Sequence, residues 1–208
     1  MEKLERFINN VERDWIWRFR EITAHSQTLS TISDELQQTV SIRLGILLLY
    51  LHWEGFIKTT FRNYMETFKN INIRELSTQL KGLFLIGFIH KIQATQSINH
   101  EKSCKIVNFL LSTNNCSDID TKECFNFKSN IDYDIFNKII NTTECPIDFS
   151  TKKNFIDKNF VNKRHAIAHG EKRNIDLNDY ISIKEEVLEL IQNYKEILID
   201  SARKNMSS

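Results

Sequence analysis

The sequence is short of the residues that break helices. One proline, Pro146, and five glycines among 208 residues leave few obligatory turns, which favours long helices over a many-turned sheet. The four cysteines, Cys104, Cys116, Cys124 and Cys145, contain no CxxC pair and have no partnering histidines. Neither a zinc knuckle nor a disulfide framework is therefore indicated, and reduced structural thiols are expected. Charge of one sign is also lacking, with 28 basic residues against 27 acidic ones. This excludes a global polycation that binds nucleic acid indiscriminately, so any polyanion site must be local. The longest apolar run, interrupted by one glycine, covers only residues 44–51, far short of the roughly 20 residues that cross a bilayer. The N-terminal MEKLER is charged and has no apolar h-region, so the expectation is a cytoplasmic protein without a secretory signal or membrane span.

What is present points to an all-α fold. Hydrophobic residues make up 41% and charged residues 26%, enough for one domain with its own core. That domain is expected over 1–204, with 205–208 as a disordered tail. Leu4, Phe7, Ile8, Val11, Trp15, Phe19 and Ile22 recur every three or four residues and predict a first helix over about 2–26. A second, over 38–68, carries Val40, Leu44, Leu47, Leu51, Phe61 and Met65 on one stripe and Leu48, Tyr50, Trp53, Phe56 and Ile57 over much of the rest. A helix apolar nearly all round is expected at the centre of the bundle. Residues 73–95 form a third helix, in which Gly82 and Gly87 would permit close approach. The pattern weakens over 96–150, which is taken as an irregular insertion with short helices near 105–111 and 135–140. A fourth helix over 151–169 turns Ile156, Phe160 and Ile167 inward and is closed by Gly170 at the C-cap. A fifth starts at Asn178 or Asp179 and ends near Lys204. The expected architecture is thus a bundle of four to five main helices.

Charge is unevenly distributed within this balanced total. Residues 151–173 hold seven basic side chains (Lys152, Lys153, Lys158, Lys163, Arg164, Lys172 and Arg173) against Asp157 and Glu171. Residues 112–150 lean the other way, with seven acidic residues against three lysines. The C-terminal third is therefore the polyanion-facing part, and Lys158, Lys163, Lys172 and Arg173 are candidate contacts to a phosphate backbone.

Two stretches carry the chemistry: 50–58, YLHWEGFIK, and 163–171, KRHAIAHGE. In the second, the fixed cation Arg164 and the titratable His169 flank small residues, Ala166, Ala168 and Gly170, that leave room for a ligand. RNA carries its own nucleophile, the 2′-hydroxyl, so an enzyme needs only to move protons and stabilise charge on the phosphate. A histidine and an arginine suffice for that, and arginine's planar fork matches phosphate oxygens. The structural alternative is that both residues merely meet the negative end of a helix dipole. Within one ideal helix, five residues at about 100° each put Arg164 and His169 about 140° apart. They converge only if the helix frays at Gly170 or a second chain contributes. His165 and His169 share a helix face, but a metal pair would need Glu171 or Asp157 as a third ligand, and no metal is expected. Glu54 lies on the apolar stripe of the second helix, where an unpaired carboxylate is costly. It either pairs locally with Lys58 or Arg43, or reaches the fourth helix and positions Arg164 or a histidine.

The segment 164–169, RHAIAH, resembles the motif of the HEPN superfamily: an arginine, a polar residue, small or apolar residues, then a histidine. Together with 50–58, 129–136 (SNIDYDIF) and 166–171 (AIAHGE) in that order, the chain looks like the MAE-type branch of HEPN-like nucleases over roughly residues 1–200. The resemblance implies a HEPN-like helical bundle and a homodimer whose motif helices face each other. It further implies metal-independent RNA endonuclease activity, without cofactor, on RNA with tRNA as a candidate substrate, in a toxin-antitoxin or antiviral defence setting. By position, Arg164 would bind the scissile phosphate and His169 would be general acid or base. His165 would fill the polar slot where asparagine is commonest, and a cognate antitoxin or neighbouring defence protein would be a partner. Some members of the fold do not cut, so the alternative is a non-catalytic module that binds RNA, a nucleotide or a protein. A plain helical interaction domain is the third reading.

Overall fold

A computed structural model describes residues 2–92, 97–128 and 130–207. Among these residues there are seven α-helices and no strand: α1 (Glu2–Thr31), α2 (Glu35–Phe68), α3 (Thr78–Lys91), α4 (His100–Leu111), α5 (Tyr133–Asn141), α6 (Asn162–Ala168) and α7 (Leu177–Ser207). The all-α expectation holds: α1, α2, α3, α6 and α7 answer to the four to five main helices, and α4 and α5 to the short helices expected near 105–111 and 135–140. Short 3₁₀ turns occupy Ile73–Glu75, Thr121–Glu123 and Ser150–Lys152, and a π-helix spans Phe155–Val161. The expected end of the third helix at 93–95 lies outside the described residues, as do position 96 of the insertion, Ser129 and Ser208.

The three long helices pack together because each presents an apolar arc to the others. Phe7, Val11, Ile22 and Leu29 face inward from α1; Ile46, Leu49, Trp53, Phe56 and Ile57 from α2; and Val187, Leu190, Ile191 and Leu198 from α7. Buried polar tips find partners: Tyr194 Oη donates to the carbonyl of Ile57 at 2.9 Å, and Tyr64 Oη pairs with Ser201 Oγ at 2.8 Å. α2 is long and apolar enough to cross a bilayer by length and composition, yet half of its apolar window is buried inside the protein. That is what a central bundle helix requires.

One arc of α2 departs from the expectation. Leu36, Val40, Leu44 and Leu51 are 73%, 48%, 56% and 62% exposed. An all-round apolar helix does not reveal which arc its neighbours cover. Here His25 of α1 and Tyr180 of α7 close on Gly45 beside the buried Ile42, Ile46 and Leu49, and Phe125 and Phe127 pack against Phe61 in the C-terminal half.

The segment read as an insertion is part of the core. Cys116, Ile119, Cys124, Ile131, Phe136, Ile139 and Ile140 are all buried, and the Phe136 ring lies 5.0 Å from Trp53. Its weak periodicity reflects short elements, each begun by a side-chain cap: Asn99 for α4, Asp120 for the 3₁₀ turn and Asp132 for α5. The predicted fourth helix is broken into a 3₁₀ turn, the π-helix and α6, although Ile156, Phe160 and Ile167 are buried as expected. At the other end, α7 continues past Lys204. Asn205 to Ser207 are helical rather than disordered, and Asn205 Nδ2 donates to Tyr64 Oη at 3.2 Å.

Of the two glycines predicted to allow close approach on α3, only Gly87 does. A Cβ there would sit 2.5 Å from Ile119 Cγ2 and 2.8 Å from Cys124 Sγ, whereas at Gly82 nothing lies within 4 Å. Gly82→Ala is therefore expected to stabilise the protein by up to about 1 kcal/mol through helix propensity. Gly87→Ala gains the same propensity but overpacks a buried contact costing about 1–3 kcal/mol. Urea unfolding of the two variants should shift the midpoint in opposite directions.

Candidate functional site

Three stretches distant in sequence meet at Arg164. The central helix supplies Tyr50, whose ring lies under the guanidinium with Arg164 Cζ 4.1 Å from the ring centroid. The strap before α5 supplies Asn130, whose Oδ1 accepts from Arg164 Nη1 at 3.3 Å and from Tyr50 Oη at 3.4 Å. The strap is fixed to α2 by both peptide groups of one residue. Tyr50 Oη accepts from the N–H of Ile131 at 3.0 Å, and Trp53 Nε1 donates to its carbonyl at 3.1 Å. A second clip joins the first residue of α5 to the π-helix, where Asp157 Oδ1 accepts from the N–H of Tyr133 at 2.9 Å. Arg164 thus stands half-buried on a platform that holds its plane, the geometry in which arginine stacks and keeps its fork free for an anion.

Burial pushes the Tyr50 phenol up to about 12, with the Ile131 N–H working against that rise. The phenol is neutral at any working pH and serves as donor, acceptor and stacking surface, not as a proton acceptor for catalysis.

α6 ends abruptly after Ala168. His169 takes the C-cap position at φ −89° and ψ 10°, and Gly170 follows at φ 79°. The N–H of Gly170 bonds the carbonyl of Ile167 at 3.1 Å and that of Glu171 the carbonyl of Ala166 at 2.9 Å, a Schellman closure that needs a left-handed residue at Gly170. Both His165 and His169 are exposed, with ring centroids 4.3 Å apart. The 140° separation is therefore not removed within one chain: Arg164 turns to Tyr50 and Asn130, and His169 turns to His165. Immediately upstream lies the π-helix, in which the N–H of Asn162 bonds the carbonyl of Asp157; such segments are concentrated near functional sites.

Glu54 takes the local partner, forming an ion pair with Lys58 four residues on. Of the two readings left open by the sequence, direct contact with Arg164 or a histidine is not made. Glu54 interacts with Tyr50, the residue on which Arg164 stacks. Among the described residues no group of three His, Cys, Asp or Glu side chains is arranged to hold a metal ion. Glu171 pairs with Arg173 at 2.8 Å, and Asp157 accepts from Tyr133 and from Lys153 at 2.9 Å.

The local cationic surplus is smaller than the count over 151–173 suggests. Lys152 is held by Glu186 and Glu189 of α7, Lys153 by Asp134 and Asp157, and Arg173 by Glu171. Lys158, Lys163 and Lys172 form no ion pair among the described residues and surround α6 with uncompensated charge. The acidic stretch is likewise consumed locally, with Asp118 on Lys91 and Asp120 and Asp132 as helix caps.

Tyr50 and Asn130 are the site residues that residue-by-residue reading misses. In sequence Tyr50 is one aromatic among many on a buried helix, and Asn130 is one amide in a polar loop. The signal lay in the resemblance, which singled out segments 50–58 and 129–136 without assigning them a contact. Tyr50→Phe keeps the stacking ring but leaves the buried N–H of Ile131 unpaired, at a cost of about 1–3 kcal/mol. A urea midpoint unchanged from that of the unmodified protein would show the clamp to be slack.

The comparisons agree with this architecture. The family model described as RiboL-PSP-HEPN matches residues 13–200, which includes α2, the strap and the whole of α6. Searches of curated proteins and of solved structures return no match. The match bears out the HEPN superfamily without singling out the MAE-type branch. With nearly all of the chain matched and the three motif segments meeting at Arg164, this protein is a member of the RiboL-PSP-HEPN family.

Proposed function

We propose that the chain is a metal-independent RNA endonuclease that acts as a homodimer in the cytoplasm, in a toxin-antitoxin or antiviral defence role. The observation that carries this reading is Arg164. It is stacked on Tyr50 and steadied by Asn130, near the end of a short helix where His165 and the C-cap His169 are open to solvent. In the reaction the RNA 2′-oxygen forms a bond to phosphorus and the bond from phosphorus to the 5′-oxygen breaks, leaving a 2′,3′-cyclic phosphate and a 5′-hydroxyl. One proton leaves the 2′-hydroxyl and one reaches the departing 5′-oxygen, and His169 performs one of these transfers with His165 beside it. Arg164 offsets the charge that grows on the phosphate oxygens. Lys158, Lys163 and Lys172 hold the neighbouring backbone, while Arg173 contributes less because Glu171 shares its charge. Glu54 acts behind the site, on the helix that carries Tyr50.

A second copy of the chain is the natural partner for the exposed stripe of α2. Leu36, Val40, Leu44 and Leu51 fall within an arc of about 80° at 100° per residue, and exposed apolar stripes of this kind mark interaction surfaces. Leu51 adjoins Tyr50, so a copy docked there brings a second Arg164 and His169 close to the first. This supplies the convergence that one chain lacks. Leu44→Glu is expected to give a monomer by light scattering and to abolish cleavage without loss of helicity.

The direct test is incubation with total RNA and with tRNA in EDTA, followed by mapping of the cut ends. His169→Ala and Arg164→Ala should each lower the cleavage rate by at least about 100-fold while the dimer survives. Intact RNA with every variant and with the unmodified protein, alongside retained RNA binding, would replace the nuclease by a non-cutting module.

A further inference from the structure

A second cationic site lies further along α2, separate from Arg164. A cleft of about 460 Å³ opens between the C-terminal half of α2, the end of α3 and the segment 122–128. Its lining includes Lys58, Arg62, Lys122 and Lys128, together with Phe127 and, as the one carboxylate, Glu123. Lys58 is taken by Glu54, and Glu123 faces His90 at 3.6 Å. Among the described residues, Arg62, Lys122 and Lys128 form no ion pair.

Arg62 is the unusual member. Its Cζ lies 6.0 Å from the Phe127 ring centroid, and its Nε is buried without a hydrogen-bond partner. A buried donor left unmatched costs free energy unless something supplies an acceptor. Lys128 is the one residue other than glycine with a positive φ among those described, at 52°. Its left-handed backbone is the kind of local strain found at ligand sites.

The cleft and the Arg164 platform are two ends of one row. Tyr50, Glu54, Lys58 and Arg62 follow each other at four-residue spacing along α2. Glu54 interacts with Tyr50 and pairs with Lys58, which lines the cleft. The same strap borders both ends, with Phe125 and Phe127 packed on Phe61 at one and Asn130 and Ile131 on Tyr50 at the other. Twelve helical residues span about 18 Å. A stacked strand carries a phosphate about every 3.4 Å, so about five phosphates cover that length.

We infer that this cleft is a phosphate-binding subsite for a single RNA strand whose neighbouring stretch lies at Arg164, with Arg62, Lys122 and Lys128 as the contacting cations. The inference rests on the RNA reading of the Arg164 site. Arginine suits a phosphodiester because its fork takes two oxygens at once.

The test uses the full chain and 2′-O-methyl RNA, which has no free 2′-hydroxyl and is bound without being cut. Fluorescence anisotropy would compare a labelled trinucleotide with a dodecanucleotide across a salt series. The double substitution Lys122→Gln with Lys128→Gln changes two exposed side chains, so folding is not at risk. The unmodified protein should bind the longer strand far more tightly. The double variant should lose that advantage and show a salt slope lower by about 1.4, at about 0.7 for each lost contact to a single strand. An undiminished length advantage in the variant overturns the inference. So does a polyglutamate peptide that displaces the dodecanucleotide as well as unlabelled RNA does, since the cleft would then take an acidic protein. A mononucleotide that binds as tightly as the dodecanucleotide, with the same dependence on Lys122 and Lys128, overturns it in favour of a free nucleotide. Cleavage of natural RNA without the length advantage removes the subsite alone, and the length advantage without cleavage removes the nuclease alone.

Discussion

The arrangement around Arg164 depends on one peptide unit being held by two side chains of α2. Ile131 is fully buried, so its N–H and C=O must both be matched inside the protein. Tyr50 Oη takes the first and Trp53 Nε1 supplies the second. This clamp fixes the strap against the central helix, and the consequences run in both directions along the chain. Forward, Asp132 caps α5 and Phe136 comes to rest on Trp53. Backward, Asn130 reaches Arg164, and Phe127 lies over Arg62. The Arg164 site therefore depends on this pair of hydrogen bonds.

The charges follow a similar logic. Most acidic residues of 112–150 are spent on caps and ion pairs, and three of the seven cations in 151–173 are matched by carboxylates on α5, α7 or nearby in the loop. Among the cations that form no ion pair within the described residues are Lys158, Lys163 and Lys172 near α6 and Arg62, Lys122 and Lys128 in the cleft beside α2. A chain with almost no net charge can still present a directed positive track, because pairing removes charge selectively from the rest of the surface. At neutral pH the aromatic partner of Arg164 adds no charge of its own, since a phenol is protonated there and burial pushes Tyr50 further up. The guanidinium is thus oriented without being neutralised.

Much of the fold was legible in the residues themselves. Scarcity of proline and glycine, and apolar spacing of three and four, were enough for an all-helical bundle with α2 at its centre. Gly170 was readable as the end of α6 because a helix needs a left-handed residue there, and it has one. In the segment 96–150, read as an irregular insertion with two short helices, the helices are too short to establish a period that reveals its share of the core, although Ile131, Phe136 and Ile140 are among the most buried residues. The end of α7 was placed too early because Asn205 looks like a tail residue until Tyr64 is seen beside it.

The sequence by itself determined the helices, the position of the Arg-x4-His segment at a helix end and the family whose motif it resembles, since each is set by local spacing and residue type. Tertiary structure alone decided which arc of α2 stays bare, that Tyr50 and Asn130 carry Arg164, that Glu54 pairs with Lys58 and meets Tyr50, and that Arg62 Nε is buried without an acceptor among the described residues. The physical reason is that these facts concern pairs of groups brought together by packing from distant parts of the chain. An apolar all-round helix and an isolated polar side chain carry no local record of which neighbour will arrive.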